Sequence, residues 1–155
     1  MRASVLACPW SLSSGVIRCY AFRVTDKSNI RDLELPARFV RRFSLHLYWV
    51  SHGLLLLRSG KSNKDSTRID ILFQDVVWMA LPAWWDSLEI SLSAIESLPL
   101  PVPPSLKNEV PFRRVFRLST DGVDHFVVAG RASIAEDDRN YGEVSPLLPD
   151  LHVTQ

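Results

Sequence analysis

The side chains able to do chemistry in this chain are few, and their spacing matches no catalytic constellation. Gly60-Lys61-Ser62 has the look of the end of a phosphate-binding loop, but such a loop needs a glycine five residues earlier so that its backbone amides can curl around phosphate. Leu55 holds that place, and a strand is predicted after the tripeptide where a helix N-terminus is required. A solvated turn is expected there. His46, His52, His125 and His152 have no metal-type spacing, and Cys8 and Cys19, with ten residues between them, are too far apart for a zinc knuckle. No metal or other cofactor is expected. A Gly-x-Ser-x-Gly elbow is missing, and six glycines leave little material for one. Asp70, Asp75, Glu89, Asp121 and Asp124 could be grouped as carboxylate pairs, but acids spaced along strands ordinarily form the wet face of a sheet. Arg68 and Asp70, two apart on one strand, are expected to make a surface ion pair worth about 0–1 kcal/mol.

Aromatic residues point to binding more than to catalysis. Four of the five tryptophans (Trp49, Trp78, Trp84 and Trp85) fall within 37 residues. Neighbours in an extended segment project to opposite sides, so Trp84 and Trp85 are hard to bury completely unless the two rings plug the two open ends or faces of a small sheet. One of them is expected to face a groove or a partner, with Asp86 beside it on a binding rim. His52, next to Gly53 in a turn between two apolar runs, is the remaining candidate, able to present imidazole at a sheet rim.

These side chains need a scaffold, and a two-residue rhythm supplies it. Phe43, Leu45, Leu47 and Trp49 alternate with Ser44, His46 and Tyr48, the period of a strand with one dry face. Leu54 to Leu57 is a short continuous apolar run that fits a strand buried on both sides, and residues 60–66 read as a polar hairpin loop. Residues 67–73 alternate cleanly, with Ile69, Ile71 and Phe73 on one side; Gln74-Asp75 reads as a bulge before the pattern resumes from Val76 to Leu81. Leu88, Ile90 and Leu92 mark another strand. Residues 99–111 hold five of the ten prolines and read as an extended connector. Asp121-Gly122 between two alternating runs predicts a tight hairpin with Arg117 opposite Phe126, Phe116 opposite Val127 and Leu118 opposite His125, continuing through Ile134. Before residue 43 the pattern is weak: a short strand at Val16 to Val24, then a short helix capped by Ser28 or Asn29 and ending before Pro36.

The segment from His52 to Ser59, followed by Thr67 to Phe73, resembles one found in small uncharacterised bacterial proteins, a domain of unknown function. The likeness spans residues 52–96 and carries no catalytic motif. Composition narrows the class further. The chain has 155 residues, 46% of them hydrophobic, and a formal charge of +1, which argues against a nucleic-acid partner. The balance is uneven, with 11 basic and 3 acidic residues in 1–64 against 7 and 14 in 65–155. The longest apolar-rich stretch, residues 43–57, is too short for a transmembrane helix. The apolar stretch before Pro9 is too short for a signal peptide, so a cytoplasmic location is expected.

The expected fold is all-β or β-dominated: a mostly antiparallel sandwich or small barrel over residues 43–136, with one or two short helices, a poorly patterned arm at 1–42 and a tail at 137–155. The expected function is a non-catalytic protein-interaction module, its partner another protein met at Trp84, Trp85, Asp86 and His52. The alternative is a small β-barrel holding a hydrophobic small molecule among Leu55, Phe73, Trp78 and Phe126.

Overall fold

Alternating apolar and polar residues produce strands that stack their dry sides, and that is the architecture found. The computed structural model describes residues 29–99 and 103–148. Its strands are β1 (Asn29–Asp32), β2 (Ala37–Phe39), β3 (Phe43–Trp49), β4 (Leu54–Ser59), β5 (Arg68–Gln74), β6 (Trp78–Ala80), β7 (Trp84–Trp85), β8 (Leu88–Ser93), β9 (Arg114–Thr120), β10 (Val123–Ala129) and β11 (Arg131–Asp137). They form two antiparallel sheets, ordered β1-β11-β5-β4-β3-β7 and β2-β8-β9-β10-β6, which do not close into a barrel. Among the described residues no helix is long and apolar enough to cross a membrane. The expected Val16–Val24 strand and both cysteines lie outside the described residues.

The core lies between the sheets. Leu55, Leu57, Ile71 and Phe73 of the first sheet meet Ile90, Phe116, Leu118 and Val127 of the second, all essentially without solvent contact. Phe73 and Phe116 bridge the layers edge to face, their ring centres 5.1 Å apart, an arrangement worth about 0.5–1.5 kcal/mol beyond the area it buries. Of the four residues expected to line a barrel, Leu55 and Phe73 lie in this core. Trp78 and Phe126 instead pack on the far side of the second sheet with Leu98 and Leu106.

The β9–β10 hairpin has the predicted register, His125 opposite Leu118, Phe126 opposite Arg117 and Val127 opposite Phe116. Asp121 and Gly122 both have positive φ (48° and 79°), as a two-residue turn matched to strand twist requires. Elsewhere the pattern is broken at specific points. The run expected to bulge at Gln74-Asp75 instead changes sheets there: β5 belongs to the first sheet and β6 to the second, with Asp75 at φ 58° forming the corner. The last strand likewise stops at Ala129, turns at Gly130 and enters the first sheet as β11. Gly130 donates its N–H to Gln74 and Val77 donates to Val128, so the two crossings brace one another. A Cβ on Gly130 would sit 3.2 Å from the Asp75 side chain, a tight approach that the glycine relieves.

Three further expectations are corrected. The short helix after Asn29 is strand β1, paired with β11 through Ile30 opposite Ala135, so strands begin before residue 43. A segment of so few residues is too short to nucleate a lone helix, whereas the edge of β11 offers an unpaired backbone ladder. The proline-rich connector contains helix α1 (Pro104–Glu109), whose first residue has no N–H to lose. In β3 the register slips between Leu45 and Leu47, and the extra residue, His46, shifts every later side chain to the other face. Tyr48 therefore packs on the core, while Leu47 and Trp49 lie on the outer face with Leu54, Leu56 and Leu72.

That outer face carries the largest departure. Arg58, Arg68 and Asp70 are each 1% exposed, so the pair expected at the surface is buried. Arg58 makes a bidentate bond to Asp70 (2.7 and 2.9 Å), and Arg68 makes one to Asp137 (3.0 and 2.8 Å). Asp70 also lies 3.7 Å from Arg68, so the two buried cations and two carboxylates form a ladder across β4, β5 and β11, with the part-exposed Arg139 3.8 Å from Asp137 at its end. Residues 140–148, expected to belong to a tail, lie over it. The carbonyls of Tyr141 and Glu143 accept from Arg58 Nη1, and those of Asn140 and Glu143 accept from Arg68 Nη1. Leu147 and Leu148 cover the apolar end of the same face.

Removing one member of such a set strands a desolvated charge, whereas an exposed acid contributes little. Asp70→Ala is expected to lower unfolding free energy by about 3–5 kcal/mol in urea titrations. Asp86→Ala should change it by less than about 0.5 kcal/mol. A loss below about 1 kcal/mol for Asp70→Ala would contradict the buried ladder.

Candidate functional site

Trp84 and Trp85 form β7, the terminal strand of the first sheet, and adjacent extended residues point opposite ways. Trp85, 1% exposed, enters the core opposite Phe43, and its indole N–H has no hydrogen-bond partner among the described residues. Trp84, 50% exposed, faces out, with the Arg42 guanidinium 4.7 Å above its ring. A cation held over an indole face is stabilised by the ring quadrupole by about 0.5–1 kcal/mol at such a surface.

Beside Trp84 opens a cleft of about 580 Å³, lined by Arg42, Ser44, Lys61, Ser62 and Tyr141. Three parts of the fold hold its walls. The β4–β5 loop brings Lys61 and Ser62, and Arg41 fastens that loop at both ends, donating to Ser59 Oγ (2.6 Å), Gly60 O (2.8 Å) and Thr67 O (2.7 Å). Within the loop Ser62 Oγ donates to Asp65 and accepts from the Lys64 and Asp65 amides, a polar turn closed on itself. The segment over the charge ladder brings Tyr141, whose hydroxyl is 2.8 Å from Ser44 Oγ. A Cβ on Gly60 would meet the Tyr141 ring at 2.8 Å, so the glycine lets loop and ring close together.

The cleft's charge is unbalanced. Arg58 at its base is matched by Asp70, and Asp65 is turned towards Arg41 (3.8 Å) and Ser62. Among the described residues no carboxylate pairs with Arg42 or Lys61, which are exposed. A second cleft, of about 520 Å³ at the Asp121-Gly122 turn, differs in this respect. Its Arg38 and Arg117 are outnumbered by Glu89, Asp121 and Asp124, and Arg117 lies 3.9 Å from Asp124, so its walls supply no unmatched positive charge.

The other expected site residues are not gathered here. Asp86 is exposed but does not line the cleft. His52 ends a single 3₁₀ turn (Val50–His52), stacks on Trp49 with ring centres 4.0 Å apart, and bonds Ser51 through Nδ1. No group of three or more His, Cys, Asp or Glu able to hold a metal occurs among the described residues. Lys61 had a visible signal in Gly60-Lys61-Ser62; Arg42 and Tyr141 had none. Compared with protein-family models, curated proteins and solved structures, the chain matches nothing.

His46 touches the site from behind. Its Nε2 lies 3.0 Å from Arg58 Nη1, and its ring meets Tyr141 edge to face at 5.3 Å. A guanidinium can only donate, so Nε2 accepts and the imidazole is neutral, its proton on Nδ1. Partial burial, then the charge of Arg58, hold its pKa below the ordinary 6.5; Asp70 opposes the shift and Arg68 adds to it. Above 6.5 the bond's contribution is fully present, because His46 is neutral in folded and unfolded chains alike. As pH falls below 6.5 the unfolded chain takes up the proton first, and stability is lost down to the folded pKa. Thermal unfolding between about pH 7.5 and 5.5 should therefore show a steeper fall in Tm for the wild type than for His46→Gln. Parallel profiles would contradict this coupling.

Proposed function

We propose that the protein is a non-catalytic interaction module that holds an extended segment of another protein in the cleft beside Trp84. The exposed Trp84 ring at the end of a sheet carries this reading. Large aromatic side chains with a polar edge concentrate at the centres of protein contacts, where they remove much apolar area from water at little conformational cost. Arg42 fixes the Trp84 ring on one side, and Trp85 anchors the same two-residue strand in the core, so the contact element is rigid before a partner arrives. The outer faces of the two sheets are covered in part by the chain itself. Residues 140–148 lie over the outer face of the first sheet, and Leu98, Leu106 and Ile95 lie over that of the second. The space between the sheets is filled by fully buried side chains, so the cleft beside Trp84 offers room that the core does not.

The adjacent tryptophans provide the test, since one carries the fold and the other the contact. Trp85→Ala is expected to lose about 3–5 kcal/mol of stability, and Trp84→Ala to stay within about 1 kcal/mol of wild type. In a selection from phage-displayed random peptides, immobilised full-length wild type should enrich a defined set and the folded Trp84→Ala variant should not. The proposal is contradicted by no enrichment on wild type, or by equal enrichment on both.

A further inference from the structure

Resting on that reading, we infer that the cleft beside Trp84 selects an acidic peptide segment: a carboxylate held between Arg42 and Lys61, next to an apolar or aromatic side chain laid on Trp84. Charge complementarity carries the assignment. Two exposed cations face the cleft without a carboxylate of their own among the described residues, and the acid nearest to hand, Asp65, is committed to Arg41 and Ser62. Arg42, its guanidinium carbon 4.7 Å from the Trp84 ring centre, presents a planar fork able to grip a carboxylate, and Lys61 adds a point charge from the β4–β5 loop.

The shape suits an extended occupant. As the terminal strand of its sheet, β7 pairs with β3 on one side and, among the described residues, with no strand on the other, an edge that an extended peptide can join. Residues 1–28 of the chain itself are a poor match, because Arg2, Arg18, Arg23 and Lys27 stand against the single acid Asp26. A nucleic acid is also disfavoured: binding a phosphate backbone calls for a track of cations, whereas the cleft presents only two, Arg42 and Lys61, that no carboxylate among the described residues matches.

The peptide selection, repeated with full-length Arg42→Gln and Lys61→Gln, tests this separately from the proposed function. Wild type should enrich sequences with Asp or Glu one or two positions from a large apolar residue, and both variants should lose that acidic preference. A fluorescein-labelled copy of the most enriched peptide should then bind, by anisotropy, at least about tenfold more tightly than its Glu→Gln or Asp→Asn isostere, with the difference shrinking as salt rises. If wild type enriches peptides through Trp84 with no acidic preference, or the amide isostere binds equally well, the carboxylate assignment is overturned while the interaction module stands. If wild type enriches nothing, both fall. If a single-stranded oligonucleotide displaces the labelled peptide at lower concentration than the unlabelled peptide does, the acidic-peptide assignment is overturned in favour of a polyanion.

Discussion

Two guanidinium groups with no access to water must find a protein acceptor for every N–H they carry, because each unsatisfied donor costs about 1–3 kcal/mol, and more when charged. Arg58 and Arg68 project from central strands onto the outer face of a sheet, where alternation alone would leave them wet. Their carboxylate partners take the Nε and Nη2 edges, and the Nη1 groups are shared between His46 Nε2, at Arg58, and backbone carbonyls of a segment 72 to 85 residues further on. Glu143 O serves both arginines, so a single peptide carbonyl ties the ladder together. A buried ion set of this kind need not be more stabilising than an apolar replacement. What it supplies here is position, because the carbonyls fit only when residues 140–144 lie in one place.

That placement reaches the cleft. With its carbonyl bonded to Arg58, Tyr141 is set so that its ring meets His46 and its hydroxyl meets Ser44, and the same ring packs against Gly60 at the base of the β4–β5 loop. Arg41 holds the loop from the other side. The cleft is therefore a consequence of interior electrostatics: the wall carrying Tyr141 and the wall carrying Lys61 are both fastened to strands β4 and β5. Trp84 closes the third side through a different device, the strict opposition of neighbouring side chains in a strand, which sinks Trp85 and leaves Trp84 outside.

Much of the fold was legible because local chemistry decides it. Alternation over residues 67–73 and 88–93, the leucine run at 54–57 and the Asp121-Gly122 turn each dictate geometry within a few residues, and the hairpin register followed from the turn alone. The misreadings share a different cause. A bulge at His46 and corners at Asp75 and Gly130 depend on how two sheets meet, and each moves following side chains to another face or sheet without altering the apolar content. Whether Arg68 and Asp70 are wet depends on what covers them, and the cover comes from residues 140–148, whose one proline and several polar side chains carry no local mark of burial. Of the cleft, Trp84 was visible from its neighbour, Lys61 only as part of a loop dismissed for phosphate, and Arg42 and Tyr141 only once strands distant in sequence were brought together.

The claim on which cleft and segment both depend is that Arg58 and Asp70 act as one buried unit. A double-mutant cycle with Arg58→Met and Asp70→Leu measures that directly, through urea unfolding of the two single variants and the double variant. The account predicts that each single change is severe and that the double variant recovers a large part of the loss, a coupling of about 2–3 kcal/mol. Effects that add to within about 0.5 kcal/mol, as for sites that do not touch, would contradict it.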